Sequence, residues 1–221
     1  MLTTEFVAGA KGNDERSLLF AFEESRDQLF RNAAGWGQDF RRREKDGQLK
    51  VIAAYPETAG LEDHLIMIKN HIDEFNPTRI AVDSLSALER VSTLKGYREF
   101  VIGITSFIKE KQITGLFTST TSSLMGGESI TEQHISTITD SIILLRYVEM
   151  FGEMKRGLTV LKMRGSRHDK DIREFTIDEH GMHINDSFKN VTGILSGNPK
   201  HIPTHDVDRL SGLFNSEPDQ D

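Results

Sequence analysis

An alternation constrains this 221-residue chain more than any other feature. Ser17-Leu18-Leu19-Phe20-Ala21-Phe22, Leu49 to Ala54, Ile80-Ala81-Val82 and Ile113 to Thr118 are short apolar runs of strand length. Between them, apolar residues recur at helical spacing. Leu29, Phe30, Ala33 and Trp36 mark one helix, and Leu61, Leu65, Ile68, Ile72 and Phe75 a second. Tyr97, Phe100, Val101, Ile104, Phe107 and Ile108 stripe a third. Strands this apolar are covered on both faces, and each needs a crossover before its parallel neighbour. The order therefore predicts an α/β fold: a mostly parallel central sheet with helices on both faces. Gly35 and Gly37 end the first helix, and Glu62 and Asp63 stand in the first turn of the second, where acids suit the dipole.

The pattern changes after Thr118. A hydroxyl run to Ser123 and Gly126-Gly127 lead to Ile142–Val148, Leu158–Met163 and Phe175–Ile177, which read as strands with Gly152 and Gly181 in turns. These are expected to extend the same sheet as antiparallel strands on its C-terminal side. Pro199, Pro203 and Pro218 lie among many polar residues beyond Gly193. The expected division is a domain over residues 1–192 and a tail over 193–221. The chain has no cysteine, which excludes disulfides and thiolate metal sites. Neither a signal peptide nor a bilayer-length apolar run is visible, so a cytoplasmic protein is expected. A net charge of −7 argues against a nucleic-acid coat.

Chemistry collects at the strand ends. Asp83 closes the apolar run Ile80-Ala81-Val82 and is followed by Ser84 and Ser86, the pattern of a Walker B strand. At the carboxyl end of a parallel strand such an Asp can hold Mg²⁺ against a nucleotide phosphate, or it can simply cap the next turn. Glu23-Glu24 end another strand. If the two strands are parallel neighbours, three carboxylates face one crevice, where one can orient a metal and another take a proton. The alternative is an acidic pair that caps the following helix. Lys162-Met163-Arg164-Gly165-Ser166-Arg167-His168-Asp169-Lys170, with Arg156 and Arg173 nearby, is a basic cluster suited to phosphate or to a solvated face. Trp36, the single tryptophan, suits a base contact or plain core. His180/His183 and His201/His205 are separated by turn residues and lack the helical pairing of a zinc protease.

Glu23-Glu24-Ser25-Arg26, Tyr55 to His64, Asp83 to Leu88, His134 to Asp140 and Lys162 to Ser166 resemble the KaiC family of circadian-clock ATPases, over about Ser17 to Pro203. The resemblance implies a RecA-like nucleotide-binding fold and hexamers using ATP and Mg²⁺. The Ser-Thr pair in His134-Ile135-Ser136-Thr137-Ile138-Thr139-Asp140 points to the second of the family's two tandem domains. That domain phosphorylates and dephosphorylates its own Ser and Thr. By the resemblance, Glu23 and Glu24 are the catalytic acid pair, Asp83 the Walker B acid, and Glu23 and Asp83 the metal-side carboxylates. Ser136 and Thr137 are the phosphoacceptors, with Thr131 a neighbouring hydroxyl and Arg90 an Arg near the acceptor loop. Trp36 becomes an adenine-side contact. Arg156, Lys162, Met163, Arg164, Ser166, His168 and Lys170 reach a neighbouring subunit's nucleotide.

The chain departs from that pattern in three places. No G-x-x-x-x-G-K-[ST] occurs in it, and Gly9-Ala10-Lys11-Gly12 lacks the spacing. The family's first strand and P-loop would lie just upstream of Leu2. A fragment or truncated gene product that binds ATP weakly or not at all is therefore expected. Arg167 stands where the cyanobacterial pattern has Trp. Ile194 to Pro199 is similar to the segment leading to the loop that KaiA engages, but the match fades beyond it and supports neither a KaiA-like nor a KaiB-like partner. Two other readings compete: a non-catalytic regulatory or oligomerisation module of the same fold, and a RecA-type DNA-binding ATPase, which the acidic balance disfavours.

Overall fold

The computed structural model describes residues 1–10, 15–120, 135–150, 152–195 and 199–201. They fall into two compact units. The first unit is Met1–Thr120, Ile130–Thr139 and Ile177–Met182. In chain order it holds α1 (Leu2–Ala8), β1 (Ser17–Ala21), α2 (Arg26–Gly35), α3 (Phe40–Lys45) and β2 (Leu49–Ala53). A short 3-10 turn, Pro56–Thr58, precedes α4 (Leu61–Phe75). Then come β3 (Arg79–Asp83), α5 (Leu85–Arg90), α6 (Leu94–Glu110), β4 (Thr114–Phe117) and α7 (Ile135–Ile138).

The sheet runs β2-β1-β3-β4, and every pairing in it is parallel. All five positions of β1 are buried, as its unbroken apolar run requires. Alternation splits the strands between two cores. Leu18, Phe20, Ile80 and Val82 pack with Ile68 and Ile72 of α4 and Phe100, Val101, Ile104 and Ile108 of α6. Leu19, Ala81, Leu49 and Val51 pack with Val7 and Ala8 of α1, Phe30 and Ala33 of α2, and Phe40 of α3. Helices thus cover both faces of the sheet.

Local signals set the helix ends. Ser25 accepts the Gln28 amide at the start of α2, and Thr93 accepts the Gly96 amide at the start of α6. The Asp63 carboxylate reaches back to the Gly60 amide at the start of α4. Asn76 closes that helix in the left-handed region (φ 47°), which Asn tolerates better than most residues. Helices α4 and α6 meet closely at Gly103, where a Cβ would stand 3.2 Å from Cδ2 of Leu65.

The second unit is Thr121–Ser129, Asp140–Thr176 and His183–Asp221. The antiparallel strands lie wholly or mostly in it and begin with β5 (Ser141–Met150), β6 (Glu153–Met163) and β7 (Arg173–Asp178). β8 (Gly181–Ser187), β9 (Val191–Thr192) and β10 (Lys200–His201) follow. Here the sequence expectation needs a correction. Among the described residues the antiparallel strands do not extend the parallel sheet but form a separate one, β5-β6-β7-β8. Hairpin pairing explains it: strands joined by tight turns find each other at little loop-closure cost and complete one another's hydrogen bonds. Gly152 (φ 79°) supplies the left-handed residue of the β5–β6 hairpin, and that pairing carries β6 back to Glu153, five residues before the expected start. β9 and β10 form a further two-stranded pair.

Candidate functional site

The site begins with a register. β1 and β3 are adjacent and parallel, with Ala21 opposite Asp83, and the Phe22 amide donates to the Asp83 carbonyl at 2.8 Å. Chain adjacency puts Glu23 and Glu24 just past the end of β1, beside the end of β3. This is the carboxyl edge of an open parallel sheet, where such folds bind ligands.

Hydroxyls orient the carboxylates. On Asp83, Oδ1 accepts from Thr118 Oγ1 at 2.6 Å and Oδ2 from Thr3 Oγ1 at 2.9 Å. On Glu23, Oε1 accepts from Arg90 Nη1 at 2.8 Å and Oε2 from Ser84 Oγ at 2.9 Å. The Arg90 guanidinium first, and the Ser84 hydroxyl after it, hold the Glu23 carboxyl below the usual carboxylate range, against the opposing effect of burial. So held, Glu23 is an anion at neutral pH and a weak base. Burial pushes the Met1 amine down, while the charges of Asp83 and then Glu24 oppose that shift.

The structure brings Glu23, Asp83 and Arg90 into one cluster, with Glu24 beside it. The Asp83 partners Thr118 and Thr3 and the Glu23 partner Ser84 were not assigned this role from sequence. Thr118 did open the hydroxyl run, and Ser84 directly follows Asp83, so a search for hydroxyls at strand ends finds both. Thr3 has no such signal. Trp36 is the half-buried residue that caps α2, past the end of the helix it was expected to stripe. Thr137 is exposed on α7, and Ser136 shares that helix, but its side chain lies outside the described residues, as does the whole of Thr131.

The basic group belongs to the second unit, with Arg156, Lys162 and Met163 on β6. The Arg156 guanidinium lies over the Tyr147 ring, 5.9 Å from its centroid. Arg164 pairs with Asp140 at 3.3 Å, and its amide donates to the Asp140 carbonyl at 2.7 Å. Ser166 and Lys170 are exposed and His168 is half-buried. Asp169 pairs with Arg173 at 2.7 Å. The Asp171 amide first, and that guanidinium second, hold the Asp169 carboxyl low.

Comparison with known proteins bears directly on this crevice. The family model described as KaiC, an ATPase, matches residues 1–188.

The chain belongs to the KaiC ATPase family.

A KaiC relative named circadian clock protein KaiC3, from Synechocystis sp., is 67% identical over 217 residues, covering 98% of this chain and 43% of the relative. The circadian clock oscillator protein KaiC of Synechococcus elongatus is 55% identical over 213 residues, covering 96% of this chain and 41% of the relative. The chain therefore spans less than half the length of these relatives, the extent of a single KaiC domain.

The crevice chemistry suits a hard divalent cation. Its donors are carboxylate and hydroxyl oxygens. Among the described residues no three His, Cys, Asp or Glu side chains converge to cage a metal ion. Mg²⁺ fits such a site, because it is usually held by one or two carboxylates together with substrate phosphates and water.

Proposed function

We propose that this chain is the second, phosphotransferase domain of a KaiC-type protein, an ATP-dependent serine/threonine autokinase and autophosphatase with ATPase activity. The observation that carries the reading is the pairing of β1 with β3, which sets Glu23 and Asp83 side by side at the carboxyl edge of the sheet. Ser136 and Thr137 are the phosphoacceptors, with Thr131 beside them. Asp83 and Glu23 would hold Mg²⁺, which when bound neutralises charge on the phosphoryl oxygens. Thr118 and Thr3 aim the Asp83 carboxylate. Glu24, the acid without the Arg90 clamp, takes the proton from the acceptor hydroxyl. Arg90 keeps Glu23 anionic. Trp36 serves the adenine side. Arg156, Lys162, Met163, Arg164, Ser166, His168 and Lys170 supply cationic and polar contacts to the nucleotide of an adjoining subunit in a ring, as a hexamer would require.

A second reading has its own observation. The 221 residues contain no G-x-x-x-x-G-K-[ST] and hence no phosphate cradle of that type. The chain would then serve as an oligomerisation or regulatory module, and by itself it binds MgATP weakly or not at all. Two measurements separate the readings. Calorimetry of the 221-residue chain with MgATP should show no micromolar binding, and micromolar binding would sink that expectation. Phosphopeptide mass spectrometry of the protein from its native cells should find phosphate on Ser136 or Thr137 and lose it in Asp83→Asn. Unmodified Ser136 and Thr137 throughout a day would overturn the kinase reading in favour of the module.

A further inference from the structure

The helix that follows Asp83 also grips a second strand end. Ser86, in the first turn of α5, is buried, and its Oγ accepts the Thr120 amide at 2.7 Å. The same oxygen lies 3.2 Å from Ser119 Oγ. One residue earlier, the Leu85 amide donates to the Thr118 carbonyl at 2.8 Å. The start of α5 thus holds residues 118–120, where the chain leaves β4. Ser86 and Thr120 stand 34 positions apart in sequence. Nothing within α5 calls for a hydroxyl at Ser86. Its neighbours Leu85, Ala87 and Leu88 are buried and apolar, and the cap position belongs to Ser84. Alanine would fit there with a higher helix propensity and without a buried polar group. The worth of the hydroxyl lies in a bond that leaves the helix.

That bond bears on Asp83 through Thr118. The Thr118 amide donates to the Val82 carbonyl at 3.0 Å, and its hydroxyl donates to Asp83 Oδ1 at 2.6 Å. Beyond it Ser119 and Thr120 are exposed, and the Ser86 hydroxyl is their anchor to α5. A strand end frays from its last bonded residues, so an anchor two residues past Thr118 sets how firmly the Thr118 hydroxyl is presented. The same helix serves the other acid. Ser84, just before α5, and Arg90, at its end, both donate to Glu23. Those two bonds do not run through Ser86, so the effect of Ser86 falls on Asp83 alone.

We propose that Ser86 is a positioning residue for Asp83: by anchoring Thr120 it keeps the exit of β4 from fraying, and so keeps the Thr118 hydroxyl aimed at the Asp83 carboxylate. The use of Asp83 as a cation ligand rests on the function proposed above, but the anchor is a property of the fold and is tested separately. Amide hydrogen exchange on the 221-residue chain reads it. Ser86→Ala should speed exchange at Thr118 as well as Thr120, by about two- to tenfold. The Phe22 amide, which is bonded to the Asp83 carbonyl, and the Ile104 amide of α6 should keep their rates. Ser86→Thr, which retains a hydroxyl, should restore slow exchange. Faster exchange at Thr120 alone would show a bond whose effect ends in the loop, and equal loosening of Thr118 and Ile104 would show a residue that only packs. Either result overturns the proposal. Titration with Mn²⁺ alone reads the consequence. Affinity should be lost in Asp83→Asn and should fall about two- to tenfold in Ser86→Ala, where Thr3 still holds Oδ2. Thr118→Val should weaken binding too, and adding Ser86→Ala to it should change nothing further, because Ser86 acts through Thr118. Wild-type affinity in Ser86→Ala alongside loss in Asp83→Asn, or additive effects in the double variant, overturns the positioning role and keeps the crevice reading. Mn²⁺ binding indifferent to Asp83→Asn overturns the crevice reading, and exchange at Thr118 then decides the anchor by itself.

Discussion

Removing the Arg90 guanidinium should raise the titration of Glu23, and the structure bounds the amount. Arg90 and Glu23 meet at 2.8 Å, but their side chains are 58% and 41% exposed. Solvent screens a pair this open, and such pairs contribute about 0.2–1 kcal/mol. Arg90→Ala should therefore move the Glu23 titration up, and the free energy behind that shift should not exceed about 1 kcal/mol. The Ser84 hydroxyl remains, which keeps part of the depression in place. The sign of the stability effect follows. Glu23 has a folded pKa below its unfolded value of 4.5. The stabilisation it contributes is therefore present above that value and is lost as pH falls through the folded pKa. Side-chain carbon NMR of labelled Glu reads the titration directly, and urea unfolding at neutral pH and at about pH 3.5 reads the linkage. The stability gap between the wild type and Arg90→Ala should be small at neutral pH and should close in acid. A Glu23 titration that stays put or falls, or a gap that widens in acid, would refute the reasoning. The result bears on mechanism, because it measures how far Arg90 weakens Glu23 as a base.

Tyr97 should mark the alkaline limb. Its folded pKa of about 12 against an unfolded value of 10.0 gives stability that is whole below about 10 and lost as pH rises towards 12. At about pH 11.5 the wild type should lose about 2 kcal/mol that Tyr97→Phe retains, read by urea unfolding. The core between β3 and the helices should be the costliest place to cut. Ile104 is 0% exposed, and Ile104→Ala should destabilise by about 2–5 kcal/mol, read from the urea midpoint.

Much of the first unit was legible because its signals are short-range and repeated. β1, β2 and α4 lie within a residue of where the apolar periodicity puts them. The wholly buried run Leu18 to Ala21 announces a strand covered on both faces. The second unit was less legible. Ile142, Leu158 and Phe175 identify strands, but nothing local in them tells which edge they pair with, since that depends on competition between hairpin closure and a distant sheet. In the site, the acids Glu23, Glu24 and Asp83 stood out because they follow short apolar runs that read as strands. Their partners did not. Thr3, Ser84 and Thr118 are common residue types, and their significance lies in who they touch, across sequence separations of 80 residues for Thr3–Asp83 and 35 for Thr118–Asp83.

Sequence by itself determined the alternation of strands and helices, the faces they bury and the presence of acids at two strand ends. These follow from periodicity and from the cost of burying charge, which act within a few residues of each position. Only the tertiary structure decided that β1 and β3 are neighbours, that Arg90 clamps Glu23, and that Ser86 ties the exit of β4 to the start of α5. Parallel pairing joins segments about sixty residues apart with Ala21 opposite Asp83, and its register is set by two cores packing at once on either face of the sheet. No local pattern encodes that outcome, because the free energy that selects it belongs to the packed whole.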